Sequence, residues 1–402
     1  MRFISAHYVF PVSAPPLKNG IVCVNDGGCI VDVIDAGEKF EEREKLEFYN
    51  GILVPGFVNA HCHLELSHLR NAIEPHGGLR NFISSIGNLR KADTKTILSA
   101  AKAADEEMKR NGIVAVGDIS NNMDTLNVKR NSRIRYHTFV ELFGLDGNLA
   151  QDICATTQAI QREYCLAGLS ASVVPHALYS VSPALWEELY QSYRSTPPQV
   201  ISIHHQESDD FPHFPHFPDF PGFPGFPGFP GFPGFPDLDI QNRMLRCLRQ
   251  ASRCLLVHNT FSSKEDLLRY ASDPVRFYFV LCLRSNMFIQ NRLPDLHVFS
   301  SPELYRNVCL GTDSLASNTS LSVLEEMKAI QQHAPEIPLE MLVQWATLNG
   351  ATALGIDGYG SFEKGKTPGI NLITGIDFDR MQLTDQSAVK TLVGSDSFLK
   401  WM

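Results

Sequence analysis

The chain has 402 residues, is 44% hydrophobic, and carries a formal net charge of -9 without a basic block. That length and apolar fraction allow one large domain with a small companion, and the charge argues against a nucleic-acid backbone binder. Its nine cysteines form no CxxC pair; an odd count in a large chain favours reduced thiols and the cytoplasm over a disulfide framework. The first residues, MRFISAHYVFPVSAPP, have a broken apolar run and make a poor signal peptide, and no apolar run reaches the length of a membrane span.

Residues 1–50 read as short strands and turns: FISAHYVF, then GIVCVNDGGCIVDVI with a GG turn in its middle. From residue 356 to 402 the chain is again strand-like and Gly-rich at first, so both ends are expected to build one small β-sandwich domain. Between them, over residues 51–355, short apolar runs alternate with amphipathic stretches. The runs are 52–60, 112–119, 134–143, 169–177, 200–205, 254–259, 275–283 and 307–313. Residues 93–110 have helical periodicity with Asp93 and Thr94 at their start, and 320–333 and 338–350 read as helices too. Eight runs alternating with helices predict an α/β fold, a (β/α)8 TIM-like barrel. An open doubly wound sheet competes with it, but no GxGxxG follows any run, which weakens a dinucleotide-binding version.

Polar residues collect where the runs end. His61 and His63 end the first, His204 the fifth, His258 the sixth and Asp313 the eighth. Barrel interiors take branched apolar side chains, whereas the C-terminal strand ends carry chemistry. In an extended segment alternate residues share a side, so the HxH pair can reach one ion, and imidazole and carboxylate suit zinc or ferrous iron. HxH alone is weak; the full set is much stronger.

These segments resemble the metal-dependent amidohydrolase superfamily, and within it the aminohydrolase branch. That branch holds S-adenosylhomocysteine/methylthioadenosine, aminofutalosine, guanine and cytosine deaminases and the triazine chlorohydrolases. The likeness rests on PGFVNAHCHLELSHL (55–69), VVPHALYSVSPAL (173–185), HHQE (204–207), VHN (257–259), CLRSN (282–286) and LGTDSLASN (310–318). It implies one divalent ion, zinc before iron, held by His61, His63, His204 and Asp313. A second ion is not implied, because the fourth strand ends in His176 where binuclear relatives carry a lysine. Glu207, in the HxxE register of His204, becomes the proton shuttle. Asp313 takes the proton of the attacking water, and His258 steadies the developing oxygen charge. His205 then faces the other way, as a packing histidine behind the barrel wall.

Substrate contacts are implied for His176, Ser285 and Asn286. Glu65 and His68 lie just past the metal ligands and are further candidates, with a loop-fixing ion pair from Glu65 to Arg70 or Arg80 as the plainer alternative. The expected reaction is hydrolytic deamination of a purine nucleoside or related aminated heterocycle, with water as co-substrate and ammonia as product. Neither nucleic acid nor membrane is an expected partner; many relatives are homodimers. Hydrolysis of another C–N or C–halogen bond is the nearest alternative. The more distant one is a silent scaffold that docks partners through residues 211–237, where FPx repeats nine times after the fifth strand. Proline at every third position suits polyproline II geometry. A dispensable tandem insertion is the first reading of that tract, and a lid over the barrel mouth the second.

Overall fold

The computed structural model describes residues 1–37, 45–209 and 238–394. The FPx tract, expected as an insertion, lid or docking segment, lies outside the described residues.

The first five strands are β1 (Arg2–Val9), β2 (Leu17–Lys18), β3 (Ile21–Val24), β4 (Ile30–Ile34) and β5 (Leu46–Pro55). The last two are β14 (Ile370–Asp377) and β15 (Gln382–Val393). All seven hydrogen-bond as one mixed sheet, in the order β15-β14-β5-β1-β3-β4 with β2 on β1. The chain's two ends therefore meet where β14 runs antiparallel to β5. Ile4, Ala6, Val22, Val24, Leu53, Ile370 and Leu372 form its own apolar cluster. The GG turn between β3 and β4 closes through the Asn25 side chain, whose Oδ1 accepts from the Gly27 and Cys29 amides, and Gly28 supplies the positive φ the turn needs.

The barrel strands are β6 (Phe57–Cys62), β7 (Ile113–Ser120), β8 (Arg135–Leu142), β9 (Ser170–Pro175), β10 (Val200–His205), β11 (Arg253–His258), β12 (Arg276–Leu281) and β13 (Val308–Leu310). They form two parallel four-stranded ladders, β6 to β9 and β10 to β13. Isolated bridges close both seams, Ala177 to His204 and Cys62 to Asp313. His204 N donates to His176 O at 2.9 Å, and the Thr312 and Asp313 amides both donate to His61 O at 3.1 Å. The seams are thus sealed at the C-terminal strand ends, by residues already singled out for chemistry.

One expected run is divided. Residues 52–60 read as a single strand, but residues to Pro55 belong to the small sheet and the barrel begins at Phe57. Gly56 is the junction. A Cβ there would lie 2.4 Å from Val114 Cγ1 and 2.6 Å from Pro368 O, so only glycine allows so close an approach.

The helices start where side chains cap them. Asp93 accepts from the Thr96 amide ahead of Thr94–Arg110, and Ser182, Ser263 and Ser322 cap Pro183–Ser195, Lys264–Ala271 and Val323–His333. The helix expected over 338–350 is interrupted by a π turn at Trp345–Asn349. There Trp345 Nε1 and Asn349 Nδ2 both donate to Tyr305 O, each at 2.9 Å, which ties this segment to the loop before β13. Over the barrel mouth, Leu79 and Phe82 of helix Gly78–Leu89 pack on Leu66, Leu69, Ile289 and Ala316.

Candidate active site

Alternation along β6 sends His61 and His63 to the same side, and β10 sends His204 to meet them. The His63 Nε2 atom lies 3.1 Å from His61 Nε2 and 3.3 Å from His204 Nε2. Asp313 Oδ1 lies 3.5 Å from His63 Nε2 and 3.7 Å from His61 Nε2. All four side chains are buried or nearly so.

Several observations fit this set to one divalent cation. The His204 Nδ1 atom lies 3.0 Å from His176 O, an acceptor, so Nδ1 carries the proton and the Nε2 lone pair points at His63. Three imidazole nitrogens converge within reach of a single ion. Zinc takes imidazole nitrogen and carboxylate oxygen in this number. Burial pushes His61 down to about 4 and His63 well below its ordinary value, which keeps both rings neutral and able to ligate. Burial works to raise Asp313, but the imidazoles of His61, His63 and His258 outweigh it and hold this carboxyl well below the usual range. His204 goes the other way: burial lowers it, and Glu141, Glu207 and Asp313 together raise it.

Around this set each predicted residue has a definite place. Asp313 Oδ2 accepts the hydroxyls of Ser285 at 2.6 Å and Ser317 at 2.8 Å, leaving Oδ1 for the histidines. Glu207 is buried; its Oε1 accepts from Tyr179 at 2.6 Å and its Oε2 lies 3.4 Å from His258 Nε2. Asn286 Oδ1 accepts from His258 Nδ1 at 2.8 Å. Ser285 and Asn286 thus hold neighbouring site residues in place. The His176 ring lies 4.7 Å from that of His204, with Nδ1 on the Ser180 hydroxyl, and burial followed by the His204 charge lowers it to about 3.

Two candidates are engaged away from the donor set. Glu65 pairs with Arg90 at 3.2 Å and accepts the Asn121 amide at 2.9 Å; burial, opposed by Arg90, raises it to about 7. The ion-pair partners considered from the sequence were Arg70 and Arg80. Arg70 instead pairs with Glu107, and Arg90, just past helix Gly78–Leu89, reaches Glu65. The His68 ring nitrogens lie 3.1 and 3.2 Å from the carbonyl oxygens of Glu65 and Arg90, stitching the same loops together. His205 is buried outside the barrel wall, with Nδ1 3.0 Å from Asn259 Oδ1 and Nε2 3.3 Å from the Tyr270 hydroxyl.

Sequence reasoning passed over Tyr179, Glu141 and the Asp118–Lys129 pair. Glu141 Oε1 lies 3.4 Å from His204 Nδ1. Lys129, fully buried, sits 2.6 Å from Asp118, whose other oxygen accepts the Leu64 amide and so pins the loop that leaves His63. Signals were present: an acidic residue closing an apolar run in VGDI and in FVELF, and a tyrosine three residues past His176.

A family model described as Amidohydrolase family matches residues 240–394. An adenosine deaminase of Helicobacter pylori is 25% identical over 347 residues, covering 83% of this chain and 84% of that one. Among solved structures, an H. pylori aminofutalosine deaminase in complex with methylthio-coformycin superposes with a TM-score of 0.76 at 23% identity, over 98% of this chain and 99% of its own. An atrazine chlorohydrolase from Arthrobacter aurescens TC1 complexed with zinc superposes at 0.73 with 17% identity, over 98% and 96%. With the barrel, its companion sheet and the converging histidines already in hand, these matches show a chain similar to the amidohydrolase family over residues 240–394, with the fold of the deaminase and chlorohydrolase structures.

Proposed function

We propose that the protein hydrolytically deaminates a purine nucleoside or a related aminated heterocycle. The observation that carries this reading is the meeting of His61, His63, His204 and Asp313 Oδ1 at the barrel mouth, with the buried carboxyl of Glu207 beside them. The likeness to an adenosine deaminase over 83% of the chain supports the choice of substrate class.

His61, His63, His204 and Asp313 would hold one zinc ion, which when bound supplies the Lewis acidity that makes water a nucleophile near neutral pH. Asp313 Oδ1 is the acceptor for the water proton; with Oδ2 held by two serine hydroxyls, it faces the reacting centre in one orientation. Glu207 delivers a proton to the ring nitrogen next to the amine-bearing carbon, which removes charge as that carbon becomes tetrahedral. His258, held through Asn286, steadies the developing oxygen. A second proton transfer lets the amine leave as ammonia. The substrate's flanking groups meet His176.

Ammonia release from a panel of adenine nucleosides and related heterocycles, measured with metal-loaded protein, tests the reading. Turnover of at least one panel member is expected. No ammonia from any of them, beside chloride release from a chlorinated triazine, would assign the C–halogen reading that the chlorohydrolase fold match favours. We also place the protein in the cytoplasm, since all nine cysteines are free thiols.

A further inference from the structure

Glu207 has two oxygens, and the structure treats them differently. Tyr179 lies on the short turn Leu178–Ser180 that follows β9, whereas Glu207 follows β10. Across these two loops the Tyr179 hydroxyl donates to Oε1 at 2.6 Å. The tyrosine is held firmly in turn. It packs against the apolar cluster at the mouth, which includes Leu66, Phe82 and Ile289, and its ring meets that of His176 edge-on at 5.6 Å. Burial, and then the Glu207 carboxylate, keep its pKa well above the ordinary phenol value, so it stays a donor.

The other oxygen faces His258. Asn286 Nδ2 lies 3.4 Å from His258 O, which sets the amide's orientation, and its Oδ1 therefore accepts the His258 Nδ1 proton. This orients the ring so that Nε2 is turned to Glu207 Oε2, 3.4 Å away. Oε2 is thus the oxygen turned to the site, while Oε1 is occupied by Tyr179.

We propose that Tyr179 is a positioning residue for proton transfer: by occupying Glu207 Oε1 it stops the carboxyl from turning over, and so commits Oε2 to the shuttle. A carboxyl free to rotate about its last bond presents either oxygen, and any time spent with the wrong one forward is lost to catalysis. The inference rests on Glu207 being the proton shuttle.

The experiment is a double-mutant cycle with Y179F and E207Q in metal-loaded protein, using a substrate that the wild type deaminates. Metal content and melting temperature are recorded for each variant. Y179F is expected to lose about 10- to 100-fold in kcat, the usual effect of removing an orienting partner, with KM within about twofold and metal stoichiometry unchanged. E207Q is expected to lose about 10²- to 10⁴-fold, and Y179F to cost nothing further in the E207Q background. Equal losses from Y179F in both backgrounds would overturn the inference, because the tyrosine would then act other than through Glu207. Wild-type kcat in Y179F beside an inactive E207Q would overturn it too, leaving the shuttle intact. Full turnover by E207Q would instead remove the shuttle reading, and the inference with it.

Discussion

His258 pairs with His205 in the parallel ladder of β10 and β11, yet their side chains leave the barrel wall on opposite sides. Strand alternation would send His258 outward with His205, toward Tyr270. Instead His258 takes a φ of 75°, and its ring lies 5.6 Å from that of His204 and 5.8 Å from that of His61. Asp313, Gln206 and Asn259 at the same mouth also have positive φ. Such conformations cost on the order of 1–3 kcal/mol for a non-glycine residue and persist where surrounding contacts hold them.

Asn286 is one of those contacts, bonded to His258 through both its amide oxygen and its amide nitrogen. Asn286→Ala should free the imidazole to rotate. We expect kcat to fall by about 10- to 100-fold with metal content unchanged, checked by steady-state kinetics beside elemental analysis. Unaltered kcat would show that His258 needs no such restraint.

Removing the metal should destabilise the fold as well as stop turnover. A cation bound by the folded state alone contributes about 2.7 kcal/mol when its free concentration is 100 times Kd. Dialysis against a chelator should therefore lower Tm, and added zinc should restore it. His204→Ala should hold less than stoichiometric metal and show no such response in Tm. A chelator-insensitive wild-type melt would contradict the assigned donor set.

Glu326 offers a pH test away from the site. It is fully buried, accepts the Arg284 amide at 3.1 Å and Asn318 Nδ2 at 2.9 Å, and burial outweighs both to raise it to about 7. Its folded value lies above the ordinary one of 4.5, so the native state binds the extra proton between these values. Its contribution is then present in acid and declines as pH rises from about 4.5 to 7. Glu326→Gln cannot ionise, so its Tm relative to the wild type should improve from pH 5 to pH 8. A constant difference across that range would mean the carboxyl is already ionised at pH 5.

Gly56 joins the small sheet to the barrel against Val114 and Pro368. Gly56→Ala should force the two units apart and cost about 1–3 kcal/mol, measured by denaturant unfolding. A neutral effect would mean that the junction has slack.

Much of this molecule follows from local pattern alone. The eight apolar runs, the capping Asp93, Ser182, Ser263 and Ser322, and the HxH and HxxE spacings all depend on neighbours a few residues away, where backbone period and side-chain reach are decisive. For that reason the candidate metal donors, with His204 rather than His205 among them, could be named from the sequence. Other features required the closed barrel. Glu65 meets Arg90 rather than Arg70, because Arg90 follows a helix laid over the mouth and Arg70 turns to Glu107. Tyr179 meets Glu207 only because β9 and β10 adjoin at a seam. His258 turns inward only through a φ that no alternation rule contains. Local spacing determines which side chains can act together along one strand. Which strand ends face one another, and with which atom, is decided by barrel closure, since those contacts join residues far apart in the chain.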